Sequence, residues 1–321
     1  MRIIFLGTPE FALPSLEKLI QSRHEVVAVI TQQDKPSGRG NKLTSSPVKD
    51  FSLKNNLKVL QYEKISRDGL EDIKKLNPDI MITAAYGQIL SQAIIDVPKY
   101  GIINVHGSLL PKYRGASPIQ SSIINGDSET GIAIMQTEAG LDTGDILSVE
   151  KTFIGEEETA GELSQRMSEI GAKLLLETLD KIEDGTITRT KQHHTEATIT
   201  KKISKEECMI NWNKSAKQIK CLILGANPDP IAKTVLTENL VRILRARIAD
   251  IPSTNNIPGT IIEPSSAKRG VFVQCGQGVL EIIEAQLPGG KVLNAKNLIS
   301  GRKFAVGMQF NPVSYPNANQ N

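Results

Sequence analysis

Apolar positions fall into two patterns that divide this chain. In the first half, short runs are apolar throughout instead of at alternate positions: residues 2–7, 25–31, 79–85, 101–105 and 130–136. The first two predict parallel strands covered on both faces, and the others predict further buried strands. Amphipathic stretches at 14–21, 47–55, 69–76 and 118–124 separate them. These predict helices, the first with Pro14 in its opening turn. Strand, helix, strand at the start of the chain is a βαβ unit. Residues 146–153 alternate and predict an antiparallel edge strand. Leu163, Met167, Ile170 and Leu174 predict a long helix, opened by the capping pair Thr159 and Glu162 and ending near Gly185. After residue 205 the pattern changes to a helix at 215–224 and short strands at 240–248, 259–262, 271–275 and 279–285. Short strands at this spacing predict a small barrel. The expected fold class is therefore α/β. A doubly wound, mostly parallel, Rossmann-like domain covers 1–188 and a linker covers 189–205. An OB-like β-barrel covers 206–310, and 311–321 form a tail.

Composition changes little in this picture. A length of 321 residues accommodates two domains. Hydrophobic content of 39% and charged content of 23% fit a soluble globular protein, and no run reaches the length of a membrane span. Residues 1–7 read as a first strand instead of a targeting peptide. Cys208, Cys221 and Cys275 share no ligand-like spacing, so they are expected to be reduced thiols of a cytoplasmic protein without a zinc site. The adjacent His193 and His194 lack carboxylate or thiol partners nearby and read as linker residues.

Charge adds more. The formal net charge is only +3, but it is unevenly spread. From residue 205 onward 14 basic residues face 8 acidic ones, whereas the remaining 24 face 27. A basic C-terminal part fits a polyanionic partner or a solvated basic face, and charge alone does not choose. Residues 32–47 are polar and glycine-rich, with Lys35, Arg39 and Lys42, then Lys49, nearly unopposed by acids. A loop of that length is either functional or a floppy surface segment. The dinucleotide glycine fingerprint is missing at the first strand end, where Gly7 is followed by Thr8, Pro9, Glu10 and Phe11 without further glycines, which argues against a nicotinamide enzyme.

The candidate chemistry sits at strand ends. Asn104 and His106 are two apart and so project to one side of their strand, where it gives way to a loop. Open α/β sheets bind ligands at such places. Asp142 lies on a second strand-end loop. An amide and an imidazole can donate to an oxygen gaining charge. A carboxylate beside the imidazole fixes its tautomer and can raise its pKa. No Ser or Cys occupies a nucleophile elbow, so the nucleophile is expected to come from the substrate, as in acyl transfer to an amine. Asn104 and His106 could equally be structural hydrogen bonders, and the residues alone leave both readings open.

The segment Asn104-Val-His106-Gly-Ser108-Leu-Leu-Pro111-Lys-Tyr-Arg114-Gly115, followed by Gly140-Leu-Asp142-Thr-Gly-Asp145, closely resembles the folate-dependent formyltransferases. The resemblance implies 10-formyltetrahydrofolate as co-substrate, no metal, and an active centre of Asn104, His106 and Asp142. It implies a folate-site segment of Ser108, Leu109, Leu110 and Pro111. Tyr86, Gly87, Gln88, Ile89 and Leu90 would form the pterin-pocket loop, closed by 138–142 beginning at Glu138. Three further features resemble family members that formylate initiator methionyl-tRNA. They are the opening Phe5-Leu-Gly-Thr-Pro-Glu-Phe-Ala-Leu-Pro-Ser15, the basic loop at 35–49, and the basic β-rich C-terminal part. The resemblance thus implies a monomeric cytoplasmic enzyme of translation initiation, with Lys35, Arg39, Lys42, Arg245 and Arg247 on tRNA. The chain departs from the family at Tyr113, where Trp is common, and at Asn227-Pro-Asp-Pro-Ile231, which lacks an aromatic. A regular strand would put Arg245 and Arg247 on one face and Arg242 on the other. Formylation of a small amine, hydrolysis of the formyl-folate and a non-catalytic RNA-binding role remain as alternatives.

Overall fold

The continuous apolar runs are strands of one sheet. A computed structural model describes residues 1–37, 42–263 and 270–311. In chain order the first part contains β1 (Arg2–Gly7), β2 (Glu25–Thr31), β3 (Lys35–Ser37), β4 (Lys42–Thr44), β5 (Val59–Gln61) and β6 (Ile80–Ala84). They are followed by β7 (Ile102–His106), β8 (Arg114–Gly115), β9 (Glu129–Gln136), β10 (Ile146–Phe153) and β11 (Ile199–Thr200). The helices are α1 (Leu13–Gln21), α2 (Pro47–Lys54), α3 (Ile65–Asp68), α4 (Leu70–Leu76), α5 (Gln92–Ile95), α6 (Pro118–Ile124) and α7 (Ala160–Glu183).

The main sheet has seven strands in the order β10-β9-β7-β6-β1-β2-β5. Its five strands from β7 to β5 are parallel. β9 is antiparallel to β7, and β10 forms the edge. On one face Ile4, Leu6, Ala28, Ile30, Met81 and Ile102 pack with Ile73 of α4 and Ile94 of α5. On the other, α7 approaches so closely that a Cβ at Gly171 would lie 2.9 Å from Val105. Cover on both faces removes any need for polar alternation. The strand order reverses between β1 and β6, and ligands of such sheets bind beyond the carboxyl ends there. Side chains already bridge that point: the Thr8 hydroxyl and the Gln32 amide both donate to the Tyr86 carbonyl at 3.1 Å.

Two stretches expected to lack regular structure have it. Residues 35–44 contain an antiparallel hairpin, with Lys35 opposite Thr44. Arg39 lies outside the described residues. Lys49 does not stand free of acids: its Nζ bonds both Asp34 oxygens, at 2.7 and 2.9 Å, and Gln61 at 2.9 Å. The expected linker is the second case. Thr190 bridges to Ile146, and β11 lies parallel to β8 with Ile199 beside Arg114. The compact units accordingly divide differently from the expected 1–188 and 206–310. One comprises Met1–Pro118, Thr130–Phe153 and Ser164–Thr200; the other comprises Ile119–Glu129, Ile154–Leu163 and the chain from Lys201 onward.

The second unit holds α8 (Ala216–Gly225), α9 (Ala295–Ser300) and strands β12 (Ala232–Leu236), β13 (Asn239–Ile248), β14 (Ile261–Ile262), β15 (Val271–Gln274), β16 (Val279–Gln286), β17 (Val292–Asn294) and β18 (Phe310–Asn311). The path β14-β15-β16-β13-β12-β18 is antiparallel. Its ends meet, because Ile261 N donates to Met308 O and Phe310 N to Gly259 O, both at 2.8 Å. The sheet is thus an antiparallel barrel, as the short strands predict.

A β-bulge overturns the expected placement of the arginines. The register of β13 against β16 shifts on both sides of Arg245. Val241, Ile243 and Ala246 therefore point inward, leaving Arg242, Arg245 and Arg247 opposite Gln286, Glu284 and Glu281 on one outer face. An extra residue in one strand resets the alternation in this way. None of the three is idle. Arg242 bonds Gln286 at 3.1 Å and Arg247 bonds Glu281 at 2.7 Å. Arg245 pairs with Glu162, which also forms the capping box with Thr159 at the start of α7.

The only tryptophan, Trp212, centres the barrel core. It stacks on Phe310 with ring centroids 5.3 Å apart and donates to the Thr234 hydroxyl at 2.9 Å. Phe310→Ala is expected to destabilise this unit by about 3–5 kcal/mol, the usual cost of emptying an aromatic core site. Denaturant unfolding followed by Trp212 fluorescence measures it, and a loss below about 1 kcal/mol would contradict this packing.

Candidate active site

His106 and Asp142 come together as expected, with Asn104 two residues back on the same strand, and their hydrogen bonds show what the sequence does not. β7 carries Asn104 and His106. Thr83 lies opposite Asn104 on β6, and its hydroxyl donates to Asn104 Oδ1 at 3.0 Å. With its oxygen engaged, the amide presents its Nδ2 donors. His106 is 5% exposed, and its Nε2 lies 3.0 Å from the Tyr113 carbonyl. A carbonyl only accepts, so Nε2 carries the proton. Nδ1 is then a bare lone pair, 3.7 Å from Asp142 Oδ2. That carboxylate oxygen accepts the Gly115 amide at 2.7 Å.

The sequence expectation for the imidazole is corrected twice. Its tautomer is fixed by the Tyr113 carbonyl instead of Asp142. Its pKa lies below the ordinary histidine value, because burial outweighs the opposing pull of Asp142 and of the Tyr113 carbonyl. A neutral buried imidazole is a base, and a carboxylate across from its lone pair would stabilise the proton it gains.

The folate-site segment turns sharply after His106. Ser108 is fully buried and its hydroxyl caps the Lys112 carbonyl at 2.6 Å, so it closes the loop. Leu110 packs with Ala133 and Met135, and the peptide to Pro111 is cis. Leu109 lies against Gly131. In the expected pterin loop, the Tyr86 ring is buried. Gln88 is spent internally, accepting from Ile65 N at 2.9 Å and donating to Tyr62 O at 3.1 Å. Leu90 is buried, whereas Ile89 is 87% exposed, and Gly87 adopts φ 85°. This loop therefore offers a ligand backbone groups and Ile89 instead of the other side chains. Glu138 is exposed, in the loop that leads to Asp142. The three cysteines are free and buried, which pushes Cys208 up to about 11 and Cys275 to about 12.

Sequence reasoning missed the segment that holds Asp142. Gln192 Nε2 donates to the carbonyls of Asp142, at 2.9 Å, and Gly144, at 2.7 Å. Its Oε1 accepts from Arg114 Nε at 3.0 Å and Nη2 at 2.7 Å. Thr198 accepts the Tyr113 amide at 2.8 Å. His194, read as a linker residue, lies 3.1 Å from Arg114 Nη2. Gly115 stands at φ 107°, and a Cβ there would collide with the Thr200 carbonyl. The only sequence signal was Arg114-Gly115 within the strand-end motif.

Residues 1–179 match the formyl transferase family model and 202–303 match the formyl transferase C-terminal domain. The chain belongs to the formyl transferase family. Within it, the methionyl-tRNA formyltransferase of Acetivibrio thermocellus is 46% identical over 308 residues, 96% of this chain and 98% of that one. That of Coxiella burnetii is 44% identical over 302 residues, 94% and 95% respectively. The structure of a methionyl-tRNA formyltransferase from Clostridium thermocellum superposes with a TM-score of 0.56 at 18% identity, over 78% of this chain and 94% of that one. A sugar 3N-formyl transferase solved in the presence of dTDP and 5-N-formyl-THF gives 0.67 at 21% identity, over 91% and 99%.

The direction of the His106 shift gives a test. Because the fold disfavours its protonation, the stability contributed by the neutral ring is complete above the ordinary value near 6.5 and is lost as pH falls below it. In an imidazole NMR titration His106 is expected to titrate below 6.5, and Asp142→Asn to move it lower still. An upward move in Asp142→Asn would mean that the carboxylate does not face this ring.

Proposed function

We propose that the protein transfers the formyl group of 10-formyltetrahydrofolate to the α-amine of methionine esterified to initiator tRNA. The observation that carries the mechanism is the bare Nδ1 of buried His106 facing Asp142 beside the Asn104 amide. Family membership and relatives named for this reaction support the substrates. The amine attacks the formyl carbon, and Asn104 Nδ2 donates to the oxygen as it becomes an oxyanion. His106 Nδ1 takes the proton the amine loses, and Asp142 stabilises the imidazolium. The tetrahedral intermediate collapses as the bond to N10 breaks, and His106 returns its proton to that nitrogen. No protein nucleophile and no metal enter this scheme. The strand-end loop 86–90 at the sheet's switch point, with 108–111, would hold the folate.

For the RNA, Lys35, Arg39 and Lys42 would contact acceptor-end phosphates, and Arg245 and Arg247 would add contacts on the barrel. Lys35 is exposed and forms no ion pair among the described residues. No described helix is long and apolar enough to cross a membrane. A cytoplasmic monomer is the proposed working form.

The deciding experiment is formyl-folate-dependent modification of charged tRNA, with initiator and elongator methionyl-tRNA compared. Asn104→Ala should keep the fold and lose about 100- to 1,000-fold in turnover, as for one oxyanion donor. Turnover at the wild-type rate would remove Asn104 from the mechanism. The pair Arg39→Ala and Lys42→Ala is expected to raise KM for tRNA and flatten the log–log salt dependence of binding by about 2, one per lost phosphate contact. Unchanged salt dependence would take the hairpin off the RNA.

A further inference from the structure

Three consecutive residues hold the imidazole and the carboxylate: the Tyr113 carbonyl binds His106, the Gly115 amide binds Asp142, and the Arg114 guanidinium grips Gln192. Gln192 in turn donates to the main chain at Asp142 and Gly144. Asp142 stands at φ 50°, a left-handed conformation that Asp adopts more readily than most residues and that the bonds from Gln192 help to hold. Gln192 is 7% exposed and Arg114 6% exposed, and Arg114 has no carboxylate partner among the described residues. A buried guanidinium without a counter-charge is costly, so its retention beside the site calls for a reason.

We propose that Gln192, oriented by Arg114, is a positioning residue that sets the separation between Asp142 and His106. The amide is suited to this as no other side chain is. One end accepts the two guanidinium hydrogens while the other donates to two carbonyls. A carboxylate would satisfy Arg114 but could not donate. Gln192 sits on the segment 190–200, which is laid along the catalytic loop by the Thr190–Ile146 bridge and by β11 beside β8.

The kinetic half of the test rests on the proposed formyl transfer; the other half does not. Gln192→Glu separates the two ends of the amide. It should keep the grip of Arg114 while turning an acceptor toward the two carbonyls, and lower kcat by at least tenfold with both KM values within about threefold, the signature of a group acting only in the transition state. In an Asp142→Asn background, adding Gln192→Met should cost nothing further, since residues acting as one unit are non-additive. Hydrogen exchange reads the same contact without turnover. In Gln192→Met the Gly115 amide should exchange at least tenfold faster, while amides of β1 and β6 keep wild-type protection. Unchanged Gly115 exchange overturns the positioning role, as does a wild-type kcat in Gln192→Glu. Inactive wild-type protein with accelerated Gly115 exchange would instead count against the functional reading and leave the positioning role supported.

Discussion

The contact between the Tyr113 carbonyl and His106 Nε2 is the one on which the site depends. It decides which imidazole nitrogen carries the proton, because a carbonyl has nothing to give. That places a lone pair toward Asp142, the arrangement on which the proposed role of His106 as base rests. The backbone supplying this carbonyl is itself unusual. Tyr113 stands at φ 60° and Gly115 at φ 107°, so left-handed residues flank Arg114. A non-glycine residue in that region costs about 1 kcal/mol or more, and such strain persists only where the surroundings impose it. Here they do: Thr198 and Thr200 hold the segment from outside.

Much of this was legible in the chain. The absence of alternation in the early strands follows from cover on both faces, and 25–31 is a strand over its predicted span. The Thr159–Glu162 capping box forms as its spacing predicts. Asn104 and His106 declared themselves by being two apart at a strand end. What escaped was contact between distant residues with no periodic signature. Gln192 lies 50 residues from Asp142 and 78 from Arg114, and a side-chain amide bridging main-chain carbonyls leaves no pattern in sequence. For the same reason Lys49 seemed unopposed, although Asp34 lies beside it in space.

Two errors had more specific causes. Asp142 does pull the His106 pKa upward, as the motif suggested, but burial, which motifs do not reveal, was left out of that reading. Desolvation of a 5%-exposed ring then proved the larger effect. The outer face of β13 was misjudged because period-2 reasoning assumes an unbroken ladder. A single bulge at Arg245 reverses the faces of everything after it.

That bulge also bears on how the two basic surfaces differ. Each β13 arginine faces an acid or amide already in place, with Glu162 and Glu284 at Arg245 and Glu281 at Arg247. A phosphate arriving there must displace a carboxylate, so the net gain in charge neutralisation is small. Exposed pairs of this kind contribute about 0–1 kcal/mol, so exchange is cheap but adds little. Lys35 on the hairpin has no such partner among the described residues. A polyanion gains the full counterion-release term only from cations that are free beforehand. In the proposed tRNA reading, Lys35 would therefore add more to affinity than the barrel arginines, whose guanidiniums are already paired and held in fixed positions.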